Sequence, residues 1–370
     1  MCGLCGRDLD TGVTESHQAS IRRRRIGKAS QIVVALAVIG GIFLGVLPRV
    51  ADFSKVWAEI TEMTWLEIAS LVVISAWNIV TYWFVMVAGL PGLAYRQAMI
   101  VNQSSTAISN TLPGGGALGI GVTYAMYSSY GFSPSEITRS VLVTGVWNNF
   151  VKLGMPVIAL ALLAIVGDVN SALLWGSLLG VVALFAAVFL LGATLHRERL
   201  ARRVGDRLGR VASVLLKLIR RPPATAWGDS MVRFRADTLG LLRGRWGWLT
   251  FATIISHLSL YAVLLVTLRH IGVSDAEVGW IQVLATFSFV RLISALPITP
   301  GGLGVVELGL TAGLIAAGGD RAQVVAAVLV YRGLTYALPI PFGAIAYLVW
   351  QRGAARRREV QAATADARIP

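Results

Sequence analysis

Five charged side chains interrupt otherwise apolar stretches of this 370-residue chain: Arg139, Lys152, Arg291, Glu307 and Arg332. On insertion scales each costs roughly 2.5–3.5 kcal/mol at the centre of a membrane helix, so such residues stay where something offsets the cost. Arg139 stands near a predicted helix end and can snorkel its guanidinium to the interface. Lys152 and Arg332 lie deep in long apolar segments, which points to pairing or function. Arg291 precedes a Pro-Gly turn and Glu307 follows it. If that hairpin closes the two can pair; equally, Glu307 can accept a proton and Arg291 can contact a phosphate.

Two Pro-Gly-Gly turns stand beside these charges, at Pro113-Gly114-Gly115 and Pro300-Gly301-Gly302. A helix starting directly after such glycines offers bare backbone N–H groups and the positive end of its dipole, which suits an anion. Amide side chains at Asn102, Gln103, Asn110, Asn148 and Asn149 accompany the turns, and inside a membrane they must hydrogen bond to other helices or to substrate. Asn102 and Gln103 read as contacts between helices. Asn110, Asn148 and Asn149 read as cavity lining. Two cations, two helix N-termini and amide groups together suit an anionic head group whose acyl chains remain in the bilayer.

The elements that hold these residues are membrane helices. Hydrophobic residues make up 55% of the chain and charged residues 14%, against the ~25% charge usual in soluble domains. Mean hydropathy is +0.68, which excludes a soluble globular enzyme. Apolar segments are predicted at 31–48, 65–89, 97–112, 114–130, 137–166, 171–195, 246–269, 279–296, 303–318 and 323–350. The fold class expected is an all-α polytopic membrane protein, with 31–350 as the transmembrane domain.

The net charge of +14 suggests nucleic acid only if it is spread over a soluble surface. It is concentrated instead. Residues 1–30 carry +3, residues 196–245 carry +9 and residues 351–370 carry +3, leaving −1 for the rest. By the positive-inside rule the two basic tails and the basic loop 196–245 face the cytoplasm. The loop is expected to touch anionic membrane lipid, and no nucleic-acid partner is expected.

Other chemistries fit poorly. Cys2 and Cys5 are too few for a zinc site. Gly114, Gly116 and Gly119 match a dinucleotide spacing but lack the preceding strand. His257 and His270 have no second acidic residue nearby and read as packing or interfacial residues. Neither a cofactor nor a metal is expected, and the chain is read as a non-enzyme.

Shifting the sequence by 185 positions places Leu118-Gly119 on Leu303-Gly304, Pro156 on Pro341, and Trp147-Asn148-Asn149 on Arg332-Gly333-Leu334. This predicts two repeat units, about 65–166 and 246–350. Each runs helix, short helix, Pro-Gly turn, short helix and a long helix broken by proline, with Pro113, Pro300, Pro156 and Pro341 as hinges. The charge-derived topology gives the units opposite orientations. Inverted repeats with interrupted helices, here two re-entrant hairpins, are a transporter architecture.

The stretch Ser-Ala-Leu-Pro-Ile-Thr-Pro-Gly-Gly-Leu-Gly-Val-Val-Glu at 294–307, followed by Tyr331-Arg332, resembles the C-terminal hallmark of the lysylphosphatidylglycerol synthase transmembrane-domain, or flippase-like, family. Asn110-Thr-Leu-Pro-Gly-Gly resembles its earlier hallmark. The resemblance spans about residues 31–350 and implies a lipid flippase or translocase of a bacterial cytoplasmic membrane. It marks Pro300, Gly301, Gly302, Glu307 and Arg332 as site residues. The first turn is richer in glycine than the family pattern. The chain ends at Pro370, about twenty residues past the last apolar segment, so the lysyl transfer performed by fused relatives is not expected. A membrane-embedded lipid-modifying transferase and an accessory membrane scaffold are the alternatives.

Overall fold

The computed structural model describes residues 53–112, 114–166, 196–218, 227–294 and 299–366, with isolated positions between 182 and 193. The expected basic tail 1–30, the helix at 31–48, most of 171–195 and the hinge residue Pro113 lie outside the described residues.

Every regular element among the described residues is helical. In chain order they are α1 (Phe53–Thr61), α2 (Trp65–Gly89), α3 (Tyr95–Thr111), α4 (Gly115–Ser129), α5 (Pro134–Val166), α6 (Glu198–Leu218), α7 (Trp227–His270), α8 (Trp280–Ile293), a 3-10 turn (Pro300–Gly302), α9 (Val305–Ala316), α10 (Arg321–Arg332), a π-helical segment (Gly333–Ala337) and α11 (Pro339–Asp366). Among the described residues four stretches are long and apolar enough to cross a membrane: Trp65–Gly89, Pro134–Val166, Trp227–His270 and Arg321–Gly353. α8 and α9 are apolar but shorter.

Helix ends follow local chemistry. Thr64 caps α2 and exchanges hydrogen bonds with Glu67, while the Asp320 carboxylate accepts from Ala322 and Gln323 at the start of α10. Arg269 closes the end of α7 by donating to the carbonyls of Val273 and Val278 and to Asp275. Those contacts satisfy groups that a helix terminus otherwise leaves open.

Three apolar cores form among the described residues, a third joining α2, α5 and α7 through Val85, Val143 and Leu249, and two larger ones organise the bundle. The larger joins α5, α7, α8, α9 and α10 through residues such as Leu160, Leu264, Phe287, Leu310 and Val325. The smaller joins α2, α3, α4 and the start of α5. Polar contacts between helices supplement the packing, as membrane interiors require. Asn78 of α2 donates to the Ser256 carbonyl and to Ser259 Oγ of α7, and Trp147 of α5 donates to Thr250 of α7 at 2.8 Å. Small residues set the closest approach: Gly115 and Gly119 of α4 lie against Ser109 of α3, leaving no room for a Cβ. Gly343 of α11 meets the Gln103 carbonyl in the same way. Asn102 and Gln103 are both buried, at the interface expected of them.

Several expectations need correction. The long helix α5 runs unbroken through the buried Pro156. Its ring removes one N–H, that which would bond the Lys152 carbonyl, but surrounding helices hold the segment straight enough to continue. Pro341 does not break a helix either. It sits in the first turn of α11 beside Pro339, where proline is tolerated, and the irregularity falls earlier, in the π-helical segment 333–337. The described residues of the basic loop 196–245 are mostly helical, in α6 and the first half of α7, so the helix expected at 246–269 begins at Trp227 instead. Apolar residues Leu200, Val204, Leu208, Val211, Leu215 and Leu218 recur at helical spacing among the arginines, which makes α6 an amphipathic helix despite its charge. The tail after 350 likewise continues α11 to Asp366.

Candidate functional site

The second Pro-Gly-Gly turn is shaped by positive backbone angles at Gly301, Gly302 and Gly304. These let the chain reverse sharply and deliver Glu307 into the first turn of α9, where it is 1% exposed. Its carboxylate is held twice. Oε2 accepts the Gly304 N–H at 2.6 Å, and Oε1 accepts Arg332 Nε at 2.7 Å. The helix start is therefore not bare, as the sequence suggested: the chain's own carboxylate occupies part of it.

Arg332, at the end of α10, gathers the turn around itself. Besides Glu307 it donates to the Gly301 carbonyl at 3.3 Å, and its guanidinium carbon lies 4.4 Å from the centre of the Tyr336 ring. Such a cation–ring contact adds attraction of about 0.5–2 kcal/mol. Of the two alternatives open for Arg291 and Glu307, the pairing does not form. Arg332 takes that carboxylate because its helix ends directly opposite the turn.

The two Pro-Gly-Gly turns meet here. The 3-10 turn packs against α3 and α4. Asn110, next to the first turn, donates through Nδ2 to the Tyr336 carbonyl at 3.2 Å, and the Tyr336 hydroxyl donates to the Asn110 carbonyl at 2.6 Å. Gly301 lies against both side chains: an added Cβ would overlap the Tyr336 ring and come within 2.9 Å of Asn110 Oδ1. Gly114 is exposed, while Gly115 is buried and donates its N–H to the Leu112 carbonyl at 2.8 Å.

The other two expected cations form a second group. Arg291, on α8, makes no hydrogen bond or ion pair through its side chain to any described residue, and its Nε is buried without a partner. Lys152, on α5, is likewise unpaired among the described residues. Lys152, Arg291 and His257 stand on α5, α8 and α7, which pack on one another. His257 is 4% exposed; Nδ1 meets the Thr253 carbonyl while Nε2 is buried without a partner. Asn148 is half-buried and Asn149 exposed, and neither side chain bonds a described residue. They do not join the Glu307 cluster.

Two residues of this region were missed from the sequence. Tyr336 lies one helical turn beyond Arg332, a spacing that puts both on one face. Tyr82 sits in α2, a segment read as an ordinary spanning helix. It is exposed over 39% of its surface.

The arrangement defines a helical membrane protein whose interior charges surround two apposed glycine turns. The chain belongs to a family described as the lysylphosphatidylglycerol synthase TM region, whose model matches residues 32–343. No curated protein matches the chain.

Proposed function

We infer that the protein is a lipid flippase or translocase that moves an anionic phospholipid or lipid-linked phosphate between leaflets. The observation that carries this reading is a pair of half-buried interior cations, Lys152 and Arg291, without an ion pair among the described residues, in a bundle where the Glu307–Arg332 pair sits at two apposed glycine turns. Buried charge without a partner is costly in a membrane and marks substrate pathways. A head group that shields Lys152 and Arg291 offsets that cost while its acyl chains stay in lipid.

Topology supports the same reading. The basic helices at 196–245 and the basic ends belong on the cytoplasmic side by the positive-inside rule, which gives the units 65–166 and 246–350 opposite orientations. Hairpins α3–α4 and α8–α9 then enter the membrane as re-entrant pairs, and substrate sits where they meet. Transport of this kind makes and breaks no covalent bond. The setting is a bacterial cytoplasmic membrane, with anionic lipid at the basic helices as a further partner.

Purified protein in proteoliposomes is expected to accelerate exchange of an anionic lipid between leaflets. Failure to accelerate any anionic lipid above protein-free vesicles overturns the reading. Cysteine-accessibility mapping is expected to find Gly115 and Gly302 reachable from water at mid-membrane depth; labelling as ordinary surface loops would replace the re-entrant hairpins with full crossings.

A further inference from the structure

Charge around the candidate site does not balance. Lys152 and Arg291 have no hydrogen-bonding or ionic partner among the described residues, and Arg291 Nε and His257 Nε2 are buried without acceptors. Among the described residues Glu307 is the one buried carboxylate, and Arg332 already holds it. Other acidic residues, such as Glu67, Glu136 and Asp320, cap helix termini. The excess is thus two positive charges plus a histidine nitrogen with unused hydrogen-bonding capacity. They come from three helices that pack on one another, α5, α8 and α7.

Resting on the transport reading above, we propose that the head group taken by Lys152 and Arg291 carries about two negative charges, as a lipid with a terminal phosphomonoester or pyrophosphate does. A phosphodiester such as phosphatidylglycerol brings one charge and leaves one cation unanswered. An aminoacylated phosphatidylglycerol is a poorer match still. Its lysyl group adds two ammonium charges to a single phosphate, and the local carboxylate that could receive them is occupied. A phosphomonoester is mostly dianionic at neutral pH, because its second ionisation lies near pH ~6. It also presents three terminal oxygens, enough for the Lys152 ammonium, the Arg291 fork and His257 Nε2 together. A polyprenyl monophosphate and phosphatidic acid share this chemistry and differ in the anchor.

The test uses the full-length protein in phosphatidylcholine vesicles doped separately with a polyprenyl monophosphate, phosphatidic acid, phosphatidylglycerol or lysylphosphatidylglycerol. At pH 7.5 at least one phosphomonoester lipid is expected to exchange leaflets about tenfold faster than phosphatidylglycerol, and lysylphosphatidylglycerol no faster than in protein-free vesicles. The faster of the two monoesters identifies the anchor. Lowering the pH to 5 is expected to shrink the preference, since the monoester then carries one charge. Lys152→Gln, inserted at the parental level, is expected to reduce it to under threefold. Phosphatidylglycerol or lysylphosphatidylglycerol moving as fast as the monoesters overturns the charge assignment and leaves transport standing. If no lipid moves, transport fails, and binding decides the assignment alone. Short-chain phosphatidic acid must then raise the thermal stability of the detergent-solubilised protein more than short-chain phosphatidylglycerol; equal shifts overturn it.

Discussion

Asn110 and Tyr336 hold each other by two hydrogen bonds, each side chain or hydroxyl donating to the other residue's backbone carbonyl, at 3.2 and 2.6 Å. This exchange ties the first Pro-Gly turn to the π-helical segment that follows Arg332. In π-helical geometry the extra residue leaves local backbone groups less regularly paired, and Asn110 supplies a donor for one of them. Tyr336→Phe removes one hydrogen bond and keeps the ring beneath Arg332. Each of Tyr336→Phe and Asn110→Ala is expected to destabilise by about 1–1.5 kcal/mol. The double variant is expected to cost less than their sum by at least ~0.5 kcal/mol. Equilibrium unfolding in mixed micelles measures this; strict additivity would show that the two bonds act independently.

Three glycines near the turns separate sterics from backbone strain. Gly301 combines a φ of 57° with a Cβ position filled by Tyr336 and Asn110. Gly114 has a φ of 69° but open space around it, and Gly116 is helical with open space. Alanine at Gly116 should be neutral or stabilise by up to ~1 kcal/mol, because it lowers the unfolded-state entropy. At Gly114 it should cost roughly 1–2 kcal/mol of left-handed strain. At Gly301 it should cost more than at Gly114, and shift Tyr336. The order Gly301, Gly114, Gly116 in unfolding midpoints checks the turn geometry; a Gly301→Ala variant as stable as the parent contradicts it.

Glu307 and Arg332 allow stability and function to be separated. Their side chains are only 2% and 12% exposed, so removing one partner strands a charge, at a cost of about 3–5 kcal/mol. Glu307→Ala and Arg332→Ala are expected to lose transport while still inserting in the membrane. The double variant Glu307→Leu/Arg332→Met removes both charges, and its unfolding midpoint should recover most of the loss. Transport should not recover. A transport-competent double variant would assign the pair to structure alone.

Much of this fold was legible because membrane burial leaves simple signals. The segments predicted at 65–89, 97–112, 114–130 and 303–318 coincide with α2, α3, α4 and α9 to within two residues at each end. Glycine after proline, at 113–115 and 300–302, marked turns without any need of tertiary information. What escaped were choices among partners. Nothing local tells Glu307 to bond Arg332, 25 positions on, in preference to Arg291; the angle at which α10 meets the turn decides it. Proline at 156 and 341 suggested breaks because its missing N–H is a local fact, whereas the packing that carries α5 through Pro156 is not. Arginine density at 196–245 likewise hid the apolar stripe of α6, since composition averages over the two faces of a helix.

That basic segment supplies the last prediction. α6 packs on the first half of α7 through glycines: a Cβ at Gly205 would lie 2.6 Å from the Trp227 carbonyl and 2.9 Å from Gly228 Cα. Nearby, Arg202 and Asp229 form an ion pair at 2.7 Å, with side chains 52% and 53% exposed. Exposed pairs contribute about 0–1 kcal/mol and are screened by salt, whereas backbone contact between helices leaves no room for a larger side chain. Asp229→Asn should therefore leave the pairing of α6 with α7 intact. Gly205→Leu should separate the helices even though it adds apolar surface. Disulfide trapping between cysteines placed at Asp206 and Gly228, which leaves the Arg202–Asp229 pair in place, reads the distance directly in membranes. Trapping should be lost with Gly205→Leu, and in the parent background it should persist at high salt. Loss of trapping in high salt would assign the pairing to charge, and unchanged trapping in Gly205→Leu would refute the close glycine contact.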